Sequence, residues 1–456
     1  MMLKKISKRK LLLLVGDLLI LLLSLHLAYL VRMGRVINIF TETNSAGLFL
    51  LIIFFVLSFY VFDQYNVKAK FLSSQSLILF GAALLAVAVG MAICFYFFPF
   101  AVGRGIFFYL FFSVTTLAFG WRVVFSSFFR LVIPKRRVLI VGLSKGIKKF
   151  AALLKNFPEY KVVGYLNDVV PQKNPGNPYR YLGARADLEK VVNRYEVDDI
   201  VVASGRIGNG GLSRVLINCR LKGKNIYNLA TFYEQLADKL PVLSLRDQWL
   251  VFSQGFDRLG SNIFKKIKRS FDILSSVLLI VLCIPLGLLI ALLIKLTSRG
   301  PVFYIQERLG QDEKPFRMLK FRTMVLGAEN EKPRWAEVND HRVTAVGRVL
   351  RKTRLDELPQ LLNVLKGEMS LIGPRPEREY FVKILKEKVP YYSLRFAVKP
   401  GITGWAQVNY RYGATVEDAI EKLRYDLYYI KNMSLFLDLR ILLKTIRICL
   451  LGMGGR

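Results

Sequence analysis

Asp356 and Glu357 stand side by side in the segment Arg354–Glu377, RLDELPQLLNVLKGEMSLIGPRPE. The chain around them carries 67 Lys and Arg against 33 Asp and Glu, a formal net charge of +34. Adjacent carboxylates among cations can hold Mg²⁺, present a nucleophile, or cap and decorate a helix start; the residues alone leave these readings open. Leu358, Leu361, Leu362 and Leu365 recur at the spacing of one helix face. Pro359 is tolerated only in a first turn. The spacing therefore predicts a helix beginning near Asp356, with both carboxylates at the end where the helix dipole favours anions.

Cations crowd the same region. Arg351, Lys352 and Arg354 precede the pair, and Arg375 is fixed between Pro374 and Pro376. A guanidinium on so stiff a backbone is aimed, and its fork matches phosphate oxygens two at a time. Arg308, Lys320 and Arg322 fall within QERLGQDEKPFRMLKFRTM, residues 306–324. Each alone reads as surface charge, but together around a carboxylate pair they read as a site for a phosphorylated substrate. Trp405 and Gln407, in KPGITGWAQVNYRYG at residues 399–413, are candidates to stack on or bond a base or sugar; a packed loop is the competing reading.

Composition narrows the chemistry. There are two histidines and four scattered cysteines with no CxxC, so neither a disulfide framework nor a thiolate metal site is indicated. Acid–base or nucleophilic work must fall mainly on carboxylates. The positive charge calls for anionic partners, and without zinc-finger spacing or a basic helix joined to heptads, nucleic acid is not expected.

These residues need elements to hold them. A length of 456 residues allows two or three domains, and a mean hydropathy of +0.35 calls for membrane segments. Leu11–Val31, Ala46–Phe62, Ser76–Phe98 and about Gly105–Val124 are candidate transmembrane helices within a region spanning residues 1–130. The basic opening MMLKKISKRK has no convincing cleavage site and reads as a retained anchor. Lys68 and Lys70, and the basic run Arg130 to Arg137, place the loops they occupy in the cytoplasm, although Arg32 and Arg35 weaken the bias in the first loop. Asp17 and His26 lie inside the first span. Ionisable groups there are functional candidates, but packing against neighbouring helices is the plainer reading.

Residues 135–255 alternate strands and helices, RRVLIVGLSKGIKKFAALLKN then YKVVGYLND then DLEKVVNRYEVDDIVVAS. This predicts a Rossmann-like, doubly wound parallel sheet. The turn VGLSKG lacks the full dinucleotide fingerprint, so a scaffold or regulatory role is expected rather than a bound cofactor. From residue 262 a third domain begins. Its apolar run at about 265–296 has Lys265, Lys266, Lys268 and Arg269 at one end and Lys295 and Arg299 at the other, with Pro285 near the middle. Basic flanks at both ends prefer the cytoplasm, and a proline-broken helix can enter one leaflet and return. The aromatic, basic and aliphatic tail reads as interfacial helices.

The ordered motifs KRSFDILSS…P, QERLG, KFRTM, DELPQLLNVLKGEMSLIGPRPE and KPGITGWAQVN resemble the bacterial sugar transferase family of polyprenyl-phosphate hexose-1-phosphate transferases, or monotopic phosphoglycosyl transferases. The likeness runs from about Phe264 to the C-terminus, and the preceding regions resemble the long form of the family, the undecaprenyl-phosphate galactose or glucose phosphotransferases. The resemblance implies a mainly α catalytic domain behind a four-helix transmembrane bundle and the α/β domain. It implies transfer of a sugar 1-phosphate from a UDP-sugar to polyprenyl (undecaprenyl) phosphate with release of UMP, the first membrane step of exopolysaccharide, capsule or O-antigen synthesis. By the same resemblance Asp356 is the nucleophile, Glu357 its partner with Mg²⁺, and Arg375 a phosphate ligand; Lys320, Arg322, Arg354 and Arg308 are further substrate contacts. Tyr410 stands where the family often has glycine, a departure that touches substrate choice. Membrane lipids are expected partners, a homodimer is left open, and a multi-pass inner-membrane protein with cytoplasmic middle and catalytic domains is expected. Two other readings compete. One is a non-catalytic scaffold or nucleotide-sugar sensor; the retained carboxylates and GPRP arginine speak against it. The other is a dinucleotide-dependent oxidoreductase, which lacks its glycine fingerprint.

Overall fold

The computed structural model describes the chain except residues 1–7, 36–37, 39–43, 67–70, 98–104, 132–134, 143–146, 158, 170–178, 204–210, 246, 328–340, 411–412, 414 and 453–456. Lys68, Lys70 and most of the VGLSKG turn therefore lie outside the described residues. The chain divides into two compact units, residues 1–134 and 135–456.

Four apolar helices build the first unit: α1 (Lys8–Met33), α2 (Ser45–Val61), α3 (Ser74–Phe97) and α4 (Gly105–Leu131). Three are long and apolar enough to cross a bilayer, and α2, at 17 residues, sits at the short limit. Gly16 lets α1 come close to α4, since a Cβ there would collide with the Trp121 ring. One residue on, Asp17 meets Arg122 of α4 in a buried two-pronged ion pair of 2.7 and 2.8 Å. The Arg122 guanidinium also lies over the Phe59 and Tyr65 rings. Asp17 is thus a packing partner. The His26 ring nitrogen bonds the Leu22 carbonyl one turn back.

The second unit opens with β1 (Arg136–Val141), α5 (Ile147–Leu154), β2 (Tyr160–Leu166), β3 (Tyr181–Gly183), α6 (Leu188–Arg194), β4 (Asp199–Val202), α7 (Gly211–Leu221), β5 (Asn225–Asn228) and α8 (Leu229–Ala237). The strands form one parallel sheet in the order β3-β2-β1-β4-β5. β1 shows why it is buried on both faces. Leu139 and Val141 pack with α6 and α7, whereas Val138 and Ile140 pack with α5 and α8. This is the doubly wound arrangement the alternation predicts.

Two short helices, α9 (Asp247–Phe252) and α10 (Asp257–Gly260), lead into α11 (Asn262–Thr297). Beyond it come β6 (Phe303–Leu309), β7 (Pro315–Phe321), α12 (Ala345–Thr353), α13 (Gln360–Lys366), β8 (Ser370–Ile372), α14 (Glu379–Lys388), β9 (Gly401–Thr403), α15 (Trp405–Asn409), α16 (Val416–Lys431) and α17 (Leu435–Leu450). β6 and β7 form an antiparallel hairpin, and β8 pairs with β9 in parallel. Core packing continues from the α/β region into the segment beyond residue 262. Ala230, Leu240, Val242 and Leu245 belong to the same core as Leu361, Trp405 and Tyr429. Glu234 accepts from Lys431 and Asn432, and Asp238 accepts from Tyr428, so α8 is fastened to α16 by buried polar bonds.

α11 continues as one 36-residue helix through Pro285. A proline removes one backbone bond and the bonds on either side of it persist, so no gap in the helix marks the expected break. The apolar side chains from Leu274 to Leu296 are largely exposed, with only Ser276, Ile290 and Ile294 buried among them. Both ends are tied to the rest of the unit. Arg269 donates to the Val364 and Leu365 carbonyls, and Asp272 accepts from Ser370 and the Leu371 amide. At the other end Ile290 and Ile294 pack on Phe321 and Leu350, and Ser298 accepts from Arg322.

Candidate active site

The carboxylate pair owes its position to two backbone features. Arg354 takes a left-handed conformation, φ 59°, at the end of α12. That conformation costs a non-glycine residue about 1–2 kcal/mol and turns the chain sharply. Leu355–Glu357 then form a single 3₁₀ turn, and α13 starts only at Gln360. The pair therefore precedes the α-helix instead of occupying its first turn, a correction to the sequence reading. Pro359 supplies the reason. Lacking an N–H, it cannot bond the Leu355 carbonyl, and tighter bonds form instead from Leu358 to Leu355 and from Leu361 to Leu358. The leucine stripe is also narrower than expected, because Leu362 is 44% exposed while Gln360, Leu361, Asn363 and Val364 are buried.

The two carboxylates have different surroundings. Glu357 is 6% exposed, and its Oε1 accepts from Arg375 Nη2 at 2.7 Å and Lys320 Nζ at 3.3 Å. Arg354 Nη1 lies 3.9 Å from Oε2. Burial pushes its pKa up, but Arg375, Lys320 and Arg354 outweigh that and hold it well below the usual carboxylate range. Asp356 is 8% exposed. Among the described residues no hydrogen bond or ion pair reaches its carboxylate. Burial raises its pKa, Lys320 opposes the rise, Glu357 adds to it, and Arg375 and Arg351 oppose it through space. One carboxylate is pinned as an anion by its neighbours; the other is presented with its oxygens uncommitted.

Most of the predicted cations come together here, in altered roles. Lys320, on β7, and Arg354 face Glu357, and Arg375 grips it. Arg308 donates to the Pro376 carbonyl at 3.3 Å, supporting the loop behind Arg375. Arg322 does not reach the pair. It is buried against the end of α11, donating to the Ser298 carbonyl and hydroxyl at 2.9 and 2.7 Å. Trp405 is likewise removed from the substrate side. It is 2% exposed, donates its Nε1–H to the Asp238 carbonyl at 2.8 Å, and is covered by Arg440 and Lys444. Gln407 bonds the Ile402 carbonyl within its own segment. In the structure both side chains of this motif are engaged within the protein.

One contributor was not singled out by sequence, and one of the expected cations acts from a distance. Asn363 is fully buried and links three elements, accepting from the Leu319 amide at 3.0 Å and donating to the Arg317 carbonyl and Glu368. It fixes α13, and so the carboxylate turn, against β7. Arg351 donates to Thr323 and acts on Asp356 through space. A polar residue inside the leucine stripe was the available signal for Asn363.

For a divalent cation the donor set is short. Among the described residues no cluster of three His, Cys, Asp or Glu exists, and Glu357 is occupied by cations. Among the described residues of the site, Asp356 is the carboxylate that offers uncommitted oxygens. One carboxylate completed by substrate phosphates is a usual arrangement for Mg²⁺, so the residues fit the ion through Asp356 rather than through both acids.

Residues 263–452 match the family described as bacterial sugar transferase. The chain is 45% identical over 260 residues to the UDP-N-acetylgalactosamine-undecaprenyl-phosphate N-acetylgalactosaminephosphotransferase of Aeromonas hydrophila, covering 57% of this chain and 60% of that one. It is 33% identical over 339 residues to the UDP-glucose:undecaprenyl-phosphate glucose-1-phosphate transferase of Klebsiella pneumoniae, covering 71% and 70%. It is 42% identical over 192 residues to the exopolysaccharide production protein PSS of Rhizobium leguminosarum bv. phaseoli, covering 40% and 93%. The match thus spans less than two thirds of the Aeromonas relative. With residues 263–452 matched and the Klebsiella likeness covering 70% of that protein, the chain belongs to the bacterial sugar transferase family.

Proposed function

We propose that this protein transfers a sugar 1-phosphate from a UDP-sugar to polyprenyl (undecaprenyl) phosphate, with Asp356 as covalent carrier. The observation that carries the reading is the asymmetry of the pair: an uncommitted, buried carboxylate beside a carboxylate saturated by Arg375, Lys320 and Arg354. An ionised Asp oxygen attacks the phosphorus bearing the sugar, and the bond from that phosphorus to the UMP oxygen breaks. UMP leaves with the bonding electrons. A polyprenyl phosphate oxygen then attacks the same phosphorus, the acyl phosphate bond breaks, and Asp356 is restored. No general base is needed to make a carboxylate nucleophilic at neutral pH. Glu357 holds Arg375 and Lys320 at the place where phosphate oxygens gather charge, and Arg351 and Arg354 stand behind them. Mg²⁺, held by Asp356 and the substrate phosphates, would neutralise charge on the leaving UMP.

The setting supports the same reading. α11 is tied at both ends to one folded unit, which supports both ends lying on the same side of the bilayer as β7 and α13. That and its basic flanks support entry into one leaflet only, with the second unit on the cytoplasmic side of a bacterial inner membrane. The exposed apolar side chains of α17, including Phe436, Leu439 and Ile446, suit the interface. The α/β domain serves as a scaffold through the bonds of α8 to α16. The product is the starting lipid of an exopolysaccharide, capsule or O-antigen.

The test uses purified protein with Mg²⁺ and a panel of donors that includes UDP-N-acetylgalactosamine and UDP-glucose, without lipid. The expected result is release of about one equivalent of UMP with a sugar-phosphate adduct on Asp356 by mass spectrometry. Enzyme that transfers sugar phosphate when lipid is added, yet shows neither signal without it, excludes the covalent route.

A further inference from the structure

Behind the loop that carries Arg375 lies a buried cation that the reaction above does not use. Arg395 is 6% exposed and precedes β9. Its Nη2 donates to the Arg375 carbonyl at 2.8 Å and to Asp426 Oδ2 at 3.1 Å, while Nη1 donates to the Tyr392 hydroxyl at 2.5 Å. Its plane lies over the Tyr392 ring at 5.1 Å. Asp426, on α16, is itself buried.

The Arg375 main chain has few other handles. Its neighbours on both sides are prolines, and neither can donate a backbone bond. The loop is held through its carbonyls: Pro374 by the Gly401 amide, Pro376 by Arg308, and Arg375 by Arg395. A guanidinium replaces the amide donor a strand partner would supply. It keeps its direction because Asp426 and Tyr392 hold its two ends.

We propose that Arg395, aimed by Asp426, is a positioning residue for phosphoryl transfer: it fixes the Arg375 main chain so that the Arg375 guanidinium meets Glu357 at 2.7 Å at the edge of the phosphate site. The phosphate contact rests on the function proposed above; the placement of Arg375 does not. Arg395 touches no reacting atom, so its effect must pass through Arg375. A purely structural ion pair would have no such dependence.

The experiment is a double-mutant cycle on full-length enzyme in lipid nanodiscs, following sugar-phosphate transfer. Arg395→Lys keeps the charge beside Asp426 but cannot span the three acceptors. It is expected to lower kcat about tenfold, below the about 10²-fold that a 1 Å misplacement can cause, with KM for the donor changed less than about twofold. In an Arg375→Lys background the same substitution is expected to change kcat by less than about twofold, because the group it positions is gone. If the tenfold loss persists in that background, Arg395 acts elsewhere and the inference is overturned. If Arg395→Lys fails to fold, Tyr392→Phe, which removes one of the two braces, is carried through the same cycle and read in the same way. A wild-type enzyme inactive on every UDP-sugar overturns the proposed function itself, and with it this inference; an active wild type with additive effects overturns the inference alone.

Discussion

Conservative replacement of the two acids should separate stability from activity. Glu357→Gln keeps the shape and removes the charge. It breaks the 2.7 Å bond to Arg375 and the 3.3 Å bond to Lys320. A hydrogen bond to a charged group contributes about 1.5–3 kcal/mol, and stranding a buried charge costs about 3–5 kcal/mol. Arg375, Lys320 and Arg354 all keep some solvent contact, so they can relax towards water, and the lower figure applies. A loss of about 2 kcal/mol corresponds to about 4–8 °C at about 2–4 °C per kcal/mol for a domain of this size class. Asp356→Asn removes a charge that has no partner and that burial already disfavours, so its effect should stay within about 0.5 kcal/mol, or about 1–2 °C. Turnover should follow the opposite order: Asp356→Asn abolishes it, whereas Glu357→Gln lowers it about 10–10²-fold by loosening Arg375. Tryptophan fluorescence melting of the full chain in nanodiscs and a radiolabelled transfer assay give both readouts. If Asp356→Asn melts as early as Glu357→Gln, Asp356 has a partner and is not the uncommitted nucleophile. Near-normal turnover in Asp356→Asn refutes the reasoning outright.

Three further outcomes are expected. Burial pushes Asp426 up to about 6 against the pull of Arg395. The folded protein therefore binds this proton more tightly than the unfolded chain, the stabilisation is complete below about pH 4, and it is lost as pH rises through 6. The fall in melting temperature between pH 5 and 7.5 should be steeper in wild type than in Asp426→Asn, and equal slopes would remove Asp426 as the source. Trp405→Phe should lower the melting temperature by loss of the Asp238 bond while KM for the UDP-sugar stays within about twofold; a tenfold rise in KM at unchanged stability would restore the stacking role. Single cysteines at positions 265 and 295 should both resist an impermeant external reagent in intact cells, and labelling at 295 would mean that α11 crosses the membrane.

Much of this arrangement was legible because its causes are local. Apolar length alone marks α1, α3, α4 and α11, and strand–helix alternation marks the doubly wound sheet. The cations around Asp356 and Glu357 stand out because charges of both signs gather in one short stretch. What was not legible depends on single atoms or distant partners. The missing N–H of Pro359 turns the expected helix start into a 3₁₀ turn. Trp405 has the chemistry to stack on a base, and only the fold reveals that Asp238, 167 residues earlier, takes its N–H. Arg322 sits in the same short run as Lys320, yet the end of β7 between them sends one to Glu357 and the other to Ser298. The fastening of α8 to α16 was equally hidden, since bonds such as Glu234 to Lys431 join residues 197 apart.

The Asp17–Arg122 pair has a consequence for how the bundle is made. Its members lie 105 residues apart. At about 5–20 residues per second of synthesis, Arg122 leaves the ribosome roughly 5–20 s after Asp17. Throughout that interval α1 holds a carboxylate with no counter-charge, a burden of about 2.5–3.5 kcal/mol against insertion at a helix centre. The leucines of α1 carry it into the bilayer, but its buried face stays incomplete until α4 arrives with Arg122 and with the Trp121 ring that covers Gly16. Assembly is therefore closed by the last helix, and a chain halted before α4 leaves α1 poorly held and exposed to quality-control proteolysis.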